Sequence, residues 1–222
     1  MSGERWASFD CYGTLIDWET GIRSVLGRLW PTLDPEALLV SYQEIEPTIQ
    51  AGRSIPYREV MARSLAAIAE RHGARLRPAD EGALAESLPS WPVFPEVPGA
   101  LSLLKEAGWS LAILSNTDPD LLAASIEAIG VRPDLTITAA EAGSYKPAHG
   151  HWKRFFERTG ADRARYVHVA ASLFHDIAPA AELGFSAVWI NRKAEHSDLP
   201  RAAELPDLSE LPATLNAVIP RG

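Results

Sequence analysis

Short apolar runs that alternate with helical patterns constrain the fold of this 222-residue chain more than any other feature of its sequence. Each run is nearly continuous, which is typical of strands buried on both faces of a parallel sheet. Strands that alternate with helices in this way indicate βαβ units, so we predict an α/β fold with a doubly wound parallel sheet. The predicted strands are Trp6–Phe9, Ser110–Leu114, Leu135–Thr138, Tyr166–Ala170 and Ser186–Ile190, and the helices between the later strands are Gly99–Ala107, Leu121–Ile129, His151–Arg158 and Ile177–Leu183.

One segment breaks this alternation. From about Asp17 to Pro92 the chain shows helical patterns only, and a proline-rich passage then leads back to the sheet. Ligands of open α/β sheets bind at the carboxyl ends of the strands, where an all-helical insertion after the first strand could cover them. We predict a core domain of residues 1–16 and 93–222 and a helical cap domain of residues 17–92. The predicted cap helices are Thr20–Trp30, Pro35–Gln50, Tyr57–His72 and Ala79–Ser87.

Composition narrows the classes of partner. The formal net charge is −8 and the basic residues are scattered, which argues against a nucleic-acid partner because that needs a basic face. Cys11 is the single cysteine, so no intrachain disulfide can form. The start of the chain has no apolar signal core, and no apolar run approaches the roughly 18 to 20 residues of a membrane span. We expect a cytoplasmic protein that binds a small molecule and neither nucleic acid nor membrane, with a homodimer left open.

Polar clusters follow the predicted strands at four places. Because the carboxyl ends of parallel strands meet at one edge of a sheet, these clusters could converge on one cleft. The clusters are Asp10 to Thr14, Ser115-Asn116, Lys146-Pro147 and Ser172 to Asp176. Together they resemble the haloacid dehalogenase superfamily of aspartate-nucleophile hydrolases. The resemblance spans essentially the whole chain and implies a Rossmann-like core with a type 1 helical cap inserted after the first strand.

The resemblance implies a role for each residue of the first three clusters. Asp10 matches the catalytic nucleophile, and Lys146 matches the lysine that would keep that carboxylate ionised. Thr14 and Ser115 are expected to act as catalytic hydrogen-bond donors, and Asn116 as a substrate-binding donor, beside a helix N-terminus that can hold an anion. From the residues alone, Asp10 could instead cap the turn after its strand, and Ser115 could cap a helix.

Tyr12 separates two branches of the superfamily. Phosphatases carry a second aspartate two residues after the nucleophile, which protonates the leaving oxygen. A phenol with a pKa of about 10 is a much poorer acid near neutrality, and a halide needs no proton. The pattern Asp-x-Tyr-Gly-Thr is that of the hydrolytic 2-haloacid dehalogenases, so we assign Tyr12 to substrate binding. The alternative is that Tyr12 packs under the cap while another group serves as the acid.

The fourth cluster departs from the metal-binding pattern of the superfamily. Magnesium-dependent relatives have a metal-binding aspartate where this chain has Ala171, and Mg²⁺ prefers hard oxygen ligands. The resemblance to metal-independent dehalogenases implies that Ser172 and Asp176 support the hydrolytic water, although their spacing differs by one residue from that pattern. We expect no metal and no cofactor, while Asp10 and Asp176 stay open as two Mg²⁺ ligands under the alternative. Asp176 could also be the N-cap of a helix that starts at Ile177.

The predicted substrate side of the cleft also differs from that of the dehalogenases. An ungapped reading of the cap places Glu46 where characterised 2-haloacid dehalogenases have an arginine, and a carboxylate there would repel a haloacid. Arg53 or Arg58 could hold the substrate instead, or could be solvated helix charges. Trp152 stands where the family has a tyrosine, so it is expected to keep an aromatic wall without the hydroxyl.

These residues lead to one functional hypothesis and two rivals. The hypothesis is a metal-independent hydrolase of the haloacid dehalogenase type that acts on a small organic acid, with 2-halo acids among the candidates, through an aspartyl ester. One rival is a Mg²⁺-dependent phosphohydrolase. The other is a non-catalytic relative retained for binding.

Overall fold

The computed structural model describes residues 3–52 and 55–221, and within these residues six parallel strands form a single sheet. The strand order is β3-β2-β1-β4-β5-β6. The strands are β1 (Arg5–Phe9), β2 (Trp109–Ser115), β3 (Leu135–Thr138), β4 (Tyr166–Ala170), β5 (Ser186–Ile190) and β6 (Ala203–Leu205). The helices are α1 (Trp18–Leu29), α2 (Pro35–Gln50), α3 (Tyr57–Arg71), α4 (Ala83–Ser87), α5 (Val97–Glu106), α6 (Pro119–Ile129), α7 (Ala139–Ala142), α8 (Gly150–Thr159), α9 (Ala178–Leu183) and α10 (Leu211–Val218). This architecture confirms the predicted fold class.

The position of β1 in the middle of the sheet fixes the location of the cleft. The chain builds β2 and β3 outward on one side of β1 and then returns to place β4, β5 and β6 on the other side. Ligands of doubly wound sheets bind where the strand order reverses, outside the carboxyl ends of the strands. The ends of β1, β2 and β4 therefore define the expected binding edge.

Alternating side chains of the strands reach two apolar layers, one on each face of the sheet. Phe9 of β1 and Val169 of β4 belong to one layer, and Trp6 of β1 and Tyr166 of β4 belong to the other. Because successive side chains of a strand point to opposite faces, a strand that is buried on both faces must be apolar at nearly every position. This is why the strands were recognisable from sequence.

The insertion after β1 consists of helices, as the sequence predicts. Ile16 and Val93 form an antiparallel bridge, so the chain leaves and re-enters the core at one place. We propose on this ground that residues 17–92 are the cap domain and that residues 1–16 and 93–222 are the core. A Cβ atom on Gly21 would lie 2.4 Å from the ring of Trp91, so glycine at this position lets α1 pack directly on the returning chain.

Several elements differ from the sequence predictions. The single helix predicted for Ala79–Ser87 is a 3₁₀ turn (Pro78–Asp80) followed by α4. The two helical segments are separate because the helix is interrupted before α4, whose N-cap is Gly82. The helix predicted from Ile177 is preceded by a π-helical turn over Leu173–Ile177. The elements β6, α7 and α10 were not predicted. Among the described residues, none of the helices has the length and apolar character needed to traverse a lipid bilayer.

Asp118 joins the core to the cap. It precedes α6, but its carboxylate makes no capping bond to that helix. It instead accepts hydrogen bonds from the backbone N–H groups of Tyr57 (2.8 Å) and Arg58 (3.0 Å) at the start of α3, and from the Arg58 guanidinium (3.2 Å). A side chain of the core therefore pairs the free N–H groups at the N-terminus of α3, a helix of the proposed cap domain.

Substitution of Asp118 by alanine is expected to lower the free energy of unfolding by about 1 kcal/mol, the typical cost of losing a helix cap. Asp120→Ala is the matched control, because the exposed ion pair of Asp120 with Arg58 contributes little and its backbone hydrogen bonds are to α6 and not to α3. Urea denaturation of both variants measures the difference. Equal stability of the two variants would show that the Asp118 bonds to α3 contribute nothing net.

Candidate active site

A cavity of about 400 Å³ lies at the carboxyl ends of β1, β2 and β4, between the sheet and the cap helix α2. Eight of the ten site residues predicted from sequence line this cavity, and Thr14 and Trp152 do not. The predicted convergence of the four polar clusters is therefore what the structure shows. The eight are Asp10, Tyr12, Glu46, Ser115, Asn116, Lys146, Ser172 and Asp176.

A buried ammonium group forms the floor of the cavity. Lys146 Nζ donates to Asp10 Oδ1 (2.8 Å), to Asp176 Oδ1 (2.6 Å) and to the carbonyl oxygen of Leu114 (3.0 Å). These contacts use all three ammonium protons. The side chain of Lys146 is 1% exposed, so its charge is balanced by the two carboxylates rather than by water.

The three charges shift one another's pKa. Burial raises the pKa of Asp10 above its ordinary value, although the Lys146 ammonium opposes this shift. Burial acts in the same direction on Asp176, but there Lys146 and a hydrogen bond from His168 outweigh it and lower the pKa. Burial alone would lower the pKa of Lys146, and the two carboxylates raise it instead. Lys146 thus favours the ionised form of both acids.

The turn after β1 places Thr14 behind the Asp10 carboxylate. Gly13 has a φ of +96°, which a residue with a side chain rarely adopts, and this lets the chain fold back on itself. Thr14 Oγ1 donates to Asp10 Oδ2 (3.1 Å) and accepts from the backbone N–H of Ala171 (3.0 Å). Thr14 therefore orients the carboxylate from below and ties it to the loop after β4.

The segment after β2 supplies one free donor and one structural clamp. Ser115 Oγ is buried and has no hydrogen-bond partner within the described part of the chain, so it can donate to a ligand. The Asn116 amide instead donates to the carbonyl oxygen of Lys146 (3.0 Å) and accepts from its N–H (2.7 Å). Asn116 lies in the cavity wall, but its main contacts hold Lys146 in place.

The hydroxyl of Tyr12 points towards α6. It forms a hydrogen bond with Ser125 Oγ (3.0 Å), and its ring packs edge-on against Trp91 (5.8 Å between centroids). Burial raises the pKa of Tyr12 well above that of a free phenol. Tyr12 therefore stays protonated at neutral pH and is a poor proton donor to a leaving group.

The loop after β4 presents Ser172 and Asp176 on one π-helical turn. Ser172 is the N-cap of this turn and accepts from the N–H of His175 (3.0 Å). The Asp176 carboxylate caps no helix, so the capping alternative for this residue is wrong: α9 starts at Ala178, and the carboxylate accepts from Lys146 and His168. Asp176 Oδ2 is buried and lacks a partner among the described residues.

Glu46 lines the cavity from the cap side. Its carboxylate accepts a hydrogen bond from the Gln50 amide, and burial raises its pKa to about 7 despite hydrogen bonds from Tyr57 and Gln50. Arg58 does not reach this wall, because its guanidinium contacts Asp118 and Asp120. Arg53 lies outside the described residues.

The prediction that Trp152 forms a wall of the substrate site does not agree with its position. The Trp152 side chain is fully buried because α8 packs this position towards the sheet. Its ring contacts His168 (5.3 Å, 81° between planes) and Phe185 (6.1 Å). Trp152 therefore packs in the core beneath the site and does not line the cavity.

Two histidines near the site were not predicted to have a role there. His175 lines the cavity beside Ser172, and burial lowers its pKa. His168 lies below the cavity and contacts Asp176. The signal for His168 was a histidine inside an apolar strand, but its contact with Asp176 depends on strand pairing and on the fold of the following turn.

The residues present do not form a Mg²⁺ site. Ala171 offers no side-chain oxygen, and the facing oxygens of Asp10 and Asp176 both accept from Lys146. Mg²⁺ needs hard oxygen ligands, and here an ammonium group lies between the two carboxylates that would supply them. Within residues 3–52 and 55–221, no group of three or more histidine, cysteine, aspartate or glutamate side chains is placed to hold a metal ion.

Comparison with known proteins agrees with this geometry. A model of the haloacid dehalogenase-like hydrolases matches residues 5–184. (S)-2-haloacid dehalogenase 1 of Pseudomonas sp. (strain CBS-3) is 27% identical over 97% of this chain and 98% of that protein. (S)-2-haloacid dehalogenase of Pseudomonas sp. (strain YL) is 28% identical over 83% of this chain and 82% of that protein. The structure of L-2-haloacid dehalogenase from Xanthobacter autotrophicus with chloropropionic acid covalently bound has a TM-score of 0.85 at 20% identity, over 96% of this chain and 98% of that chain.

Proposed function

This chain belongs to the haloacid dehalogenase-like hydrolases, and from that premise we propose that it hydrolyses a carbon–halogen bond through a covalent ester on Asp10. The observation that carries the proposal is the buried Lys146 ammonium, which contacts Asp10 and Asp176 together at the floor of the cavity. The relatives named (S)-2-haloacid dehalogenase, which align with 97% and 83% of this chain, support the type of bond. Tyr12 supports it as well, since a halide leaves without a proton.

In the first step, an Asp10 carboxylate oxygen attacks the carbon that carries the halogen. The new carbon–oxygen bond forms as the carbon–halogen bond breaks, and the halide leaves with the bonding electrons. Thr14 and Lys146 hold the two carboxylate oxygens, so the nucleophile is oriented before the substrate arrives. The free hydroxyl of Ser115 is suited to donate to the anionic halide.

In the second step, water attacks the carboxyl carbon of the Asp10 ester. Asp176 Oδ2, which has no protein donor among the described residues, takes a proton from this water. Lys146 stabilises the negative charge that develops on the carboxyl oxygen. As the acyl–oxygen bond breaks, the leaving oxygen takes the proton held by Asp176 and the product departs as an alcohol. Asp10 keeps one oxygen from water and returns to the carboxylate by losing the second proton of that water to solvent, so the net products are an alcohol, a halide ion and a proton.

The charged side chains that line the cavity affect whether it favours a charged or an uncharged substrate. Lys146 and Lys193 are the cationic side chains among the described lining residues, and each already contacts carboxylates, Asp10 and Asp176 for the first and Glu19 for the second. Glu46 adds a negative charge whenever it is ionised. We therefore propose small 2-halo compounds as substrates, with uncharged members preferred over 2-halo acids above neutral pH.

Halide release from a panel of 2-halo compounds is expected to continue at an unchanged rate in excess EDTA, because the Lys146 ammonium occupies the place between the two carboxylates where Mg²⁺ would need to bind. The measurement is halide release with and without EDTA, and with added Mg²⁺. Asp10→Asn serves as the control for background hydrolysis.

The same panel separates the rival functions. Strict dependence on Mg²⁺, together with phosphate release from phosphate monoesters, would reject the proposal in favour of a phosphohydrolase. If the wild type binds compounds of the panel without turnover, and Asp10→Asn binds them with the same affinity, the protein would be a non-catalytic relative. That rival leaves the arrangement of Asp10, Ser115 and Lys146 without a purpose.

A further inference from the structure

His168 lies directly beneath the Lys146 ammonium and the Asp176 carboxylate at the floor of the cavity. It takes no part in the two proposed chemical steps. It is on β4 and pairs in register with Ser8 of β1. Its Nε2 is 2.9 Å from Asp176 Oδ1, and its Nδ1 is 2.6 Å from Ser8 Oγ. Ser8 Oγ in turn is 2.5 Å from the hydroxyl of Tyr166. The four side chains form one chain of hydrogen bonds below the cavity.

The chemistry of the two ends gives this chain a direction. The ionised Asp176 carboxylate only accepts, so His168 Nε2 carries the proton and donates to it. In the neutral ring, Nδ1 then accepts from the Ser8 hydroxyl, and Ser8 Oγ accepts from the Tyr166 hydroxyl. Every polar atom of Ser8, Tyr166 and His168 in this hydrogen-bond chain therefore has a partner, as buried polar groups require.

The surroundings of His168 exclude water. Ser8, Tyr166, His168 and Asp176 are each 0% exposed. The ring of Trp152 packs edge-on against the His168 ring at 5.3 Å. Replacement of a protein donor by water is therefore not available at this position, and loss of the imidazole would leave Asp176 with one donor fewer.

The contacts of Asp176 divide its two oxygens. Oδ1 accepts from both Lys146 Nζ (2.6 Å) and His168 Nε2 (2.9 Å). Oδ2 has no donor among the residues that the structure describes. Two donors on one oxygen fix the rotation of the carboxylate more firmly than Lys146 alone, because the ammonium could be shared by either oxygen.

We propose that His168 is a positioning residue for the hydrolytic step, which holds Asp176 by Oδ1 and so leaves Oδ2 to receive the proton of water. This inference rests on the proposed function and adds a residue outside the cavity to it. The first step depends on Asp10, Thr14 and Lys146, whose contacts do not involve His168. Loss of His168 should therefore slow the breakdown of the ester and spare its formation.

The experiment compares ester formation and ester breakdown in His168→Phe. Rapid-quench measurement of halide release reports the first step, and mass spectrometry of the quenched protein reports the ester. We expect halide release in the first turnover to stay within about threefold of wild type, while ester breakdown slows by about ten- to a hundredfold, the effect of one lost charge-assisted hydrogen bond. A burst of halide and an accumulated ester are the signature.

Two variants control for structural damage. His168→Gln retains an N–H donor for Asp176 and an acceptor for Ser8, and should recover most of the rate of ester breakdown. Tyr166→Phe interrupts the same buried chain without touching Asp176, and should resemble wild type in both steps. Equal slowing of both steps in His168→Phe with no recovery in His168→Gln, or an unchanged rate of ester breakdown, would overturn the inference.

A measurement on the wild type keeps the inference testable if His168→Phe does not fold or if no halide is released from any compound. Side-chain ¹⁵N NMR should show the His168 ring with a proton on Nε2 and none on Nδ1, and Asp176→Asn should shift the Nε2 resonance. A ring with its proton on Nδ1 would reject the contact with Asp176. Absence of halide release together with the expected tautomer would reject the proposed function alone.

Discussion

Single-turnover hydrolysis in ¹⁸O-labelled water is expected to place the label in the Asp10 carboxylate before any label appears in the alcohol. The reason is the geometry of the floor: Lys146 and Thr14 hold the two Asp10 oxygens at 2.8 Å and 3.1 Å, so this carboxylate is the oriented nucleophile. Water then attacks the aspartyl carbon, and its oxygen stays on the enzyme. Mass spectrometry of the peptide that contains Asp10 measures the label.

Asp10→Asn should lower halide release by at least about a thousandfold, because a bound and oriented nucleophile has an effective molarity far above that of water. Asparagine keeps the shape and can still accept from Lys146, so loss of activity would report the lost carboxylate rather than lost structure. Asp198→Asn is a suitable comparison, since it makes the same substitution at a side chain that is 99% exposed and keeps the nucleophile. Label that enters the alcohol directly, with none on Asp10, would indicate attack by water on the substrate and would reject the ester.

The sheet could be predicted because its strands are buried on both faces. The run Tyr166–Ala170 has no alternation to mislead, and its bounds in the structure are the predicted ones. The edge strand β6 has only three residues, partly or fully exposed, so its sequence carries no such signal. Helix α2 was also predicted with its exact limits, and in the structure Asp34 and Pro35 mark its start as an N-cap and a first-turn proline.

The candidate site was predictable as far as it follows strand ends. The positions of Asp10 and Ser115 at the ends of strands follow from the strand pattern alone. Their convergence on one cleft follows from the parallel sheet. The orientation of Trp152 was not predictable, because a residue on α8 can face the cavity or the sheet depending on how the helix packs. The contacts of Asp118 were not predictable either, because its carboxylate accepts hydrogen bonds from the start of α3, which is distant in sequence. The roles of the individual site residues remain predictions.

The electrostatic repulsion between Glu46 and a substrate carboxylate should have the other large effect on turnover. We expect wild-type protein to turn over 2-chloropropionate poorly at pH 8, where Glu46 with a pKa of about 7 is mostly ionised. A second carboxylate within about 4 Å at an effective dielectric near 20 costs on the order of 4 kcal/mol, which is roughly a thousandfold in rate if felt fully in the transition state. Glu46→Arg should therefore raise kcat/KM for 2-chloropropionate, by up to about that factor.

The pH dependence supplies the matched control for this prediction. The raised pKa of Glu46 means that the carboxyl loses its charge as the pH falls from 8 to 6, so the repulsion should weaken in that direction. The other titrating groups, Asp10 among them, are the same in wild type and in Glu46→Gln, so their effects cancel when the two proteins are compared. The ratio of kcat/KM for 2-chloropropionate to that for uncharged 2-chloropropionamide should therefore rise more steeply on acidification in wild type than in Glu46→Gln. Efficient turnover of the acid at pH 8 that Glu46→Arg leaves unimproved would mean that Glu46 does not face the substrate. It would also mean that another residue, with Arg53 as the remaining candidate, binds the carboxylate.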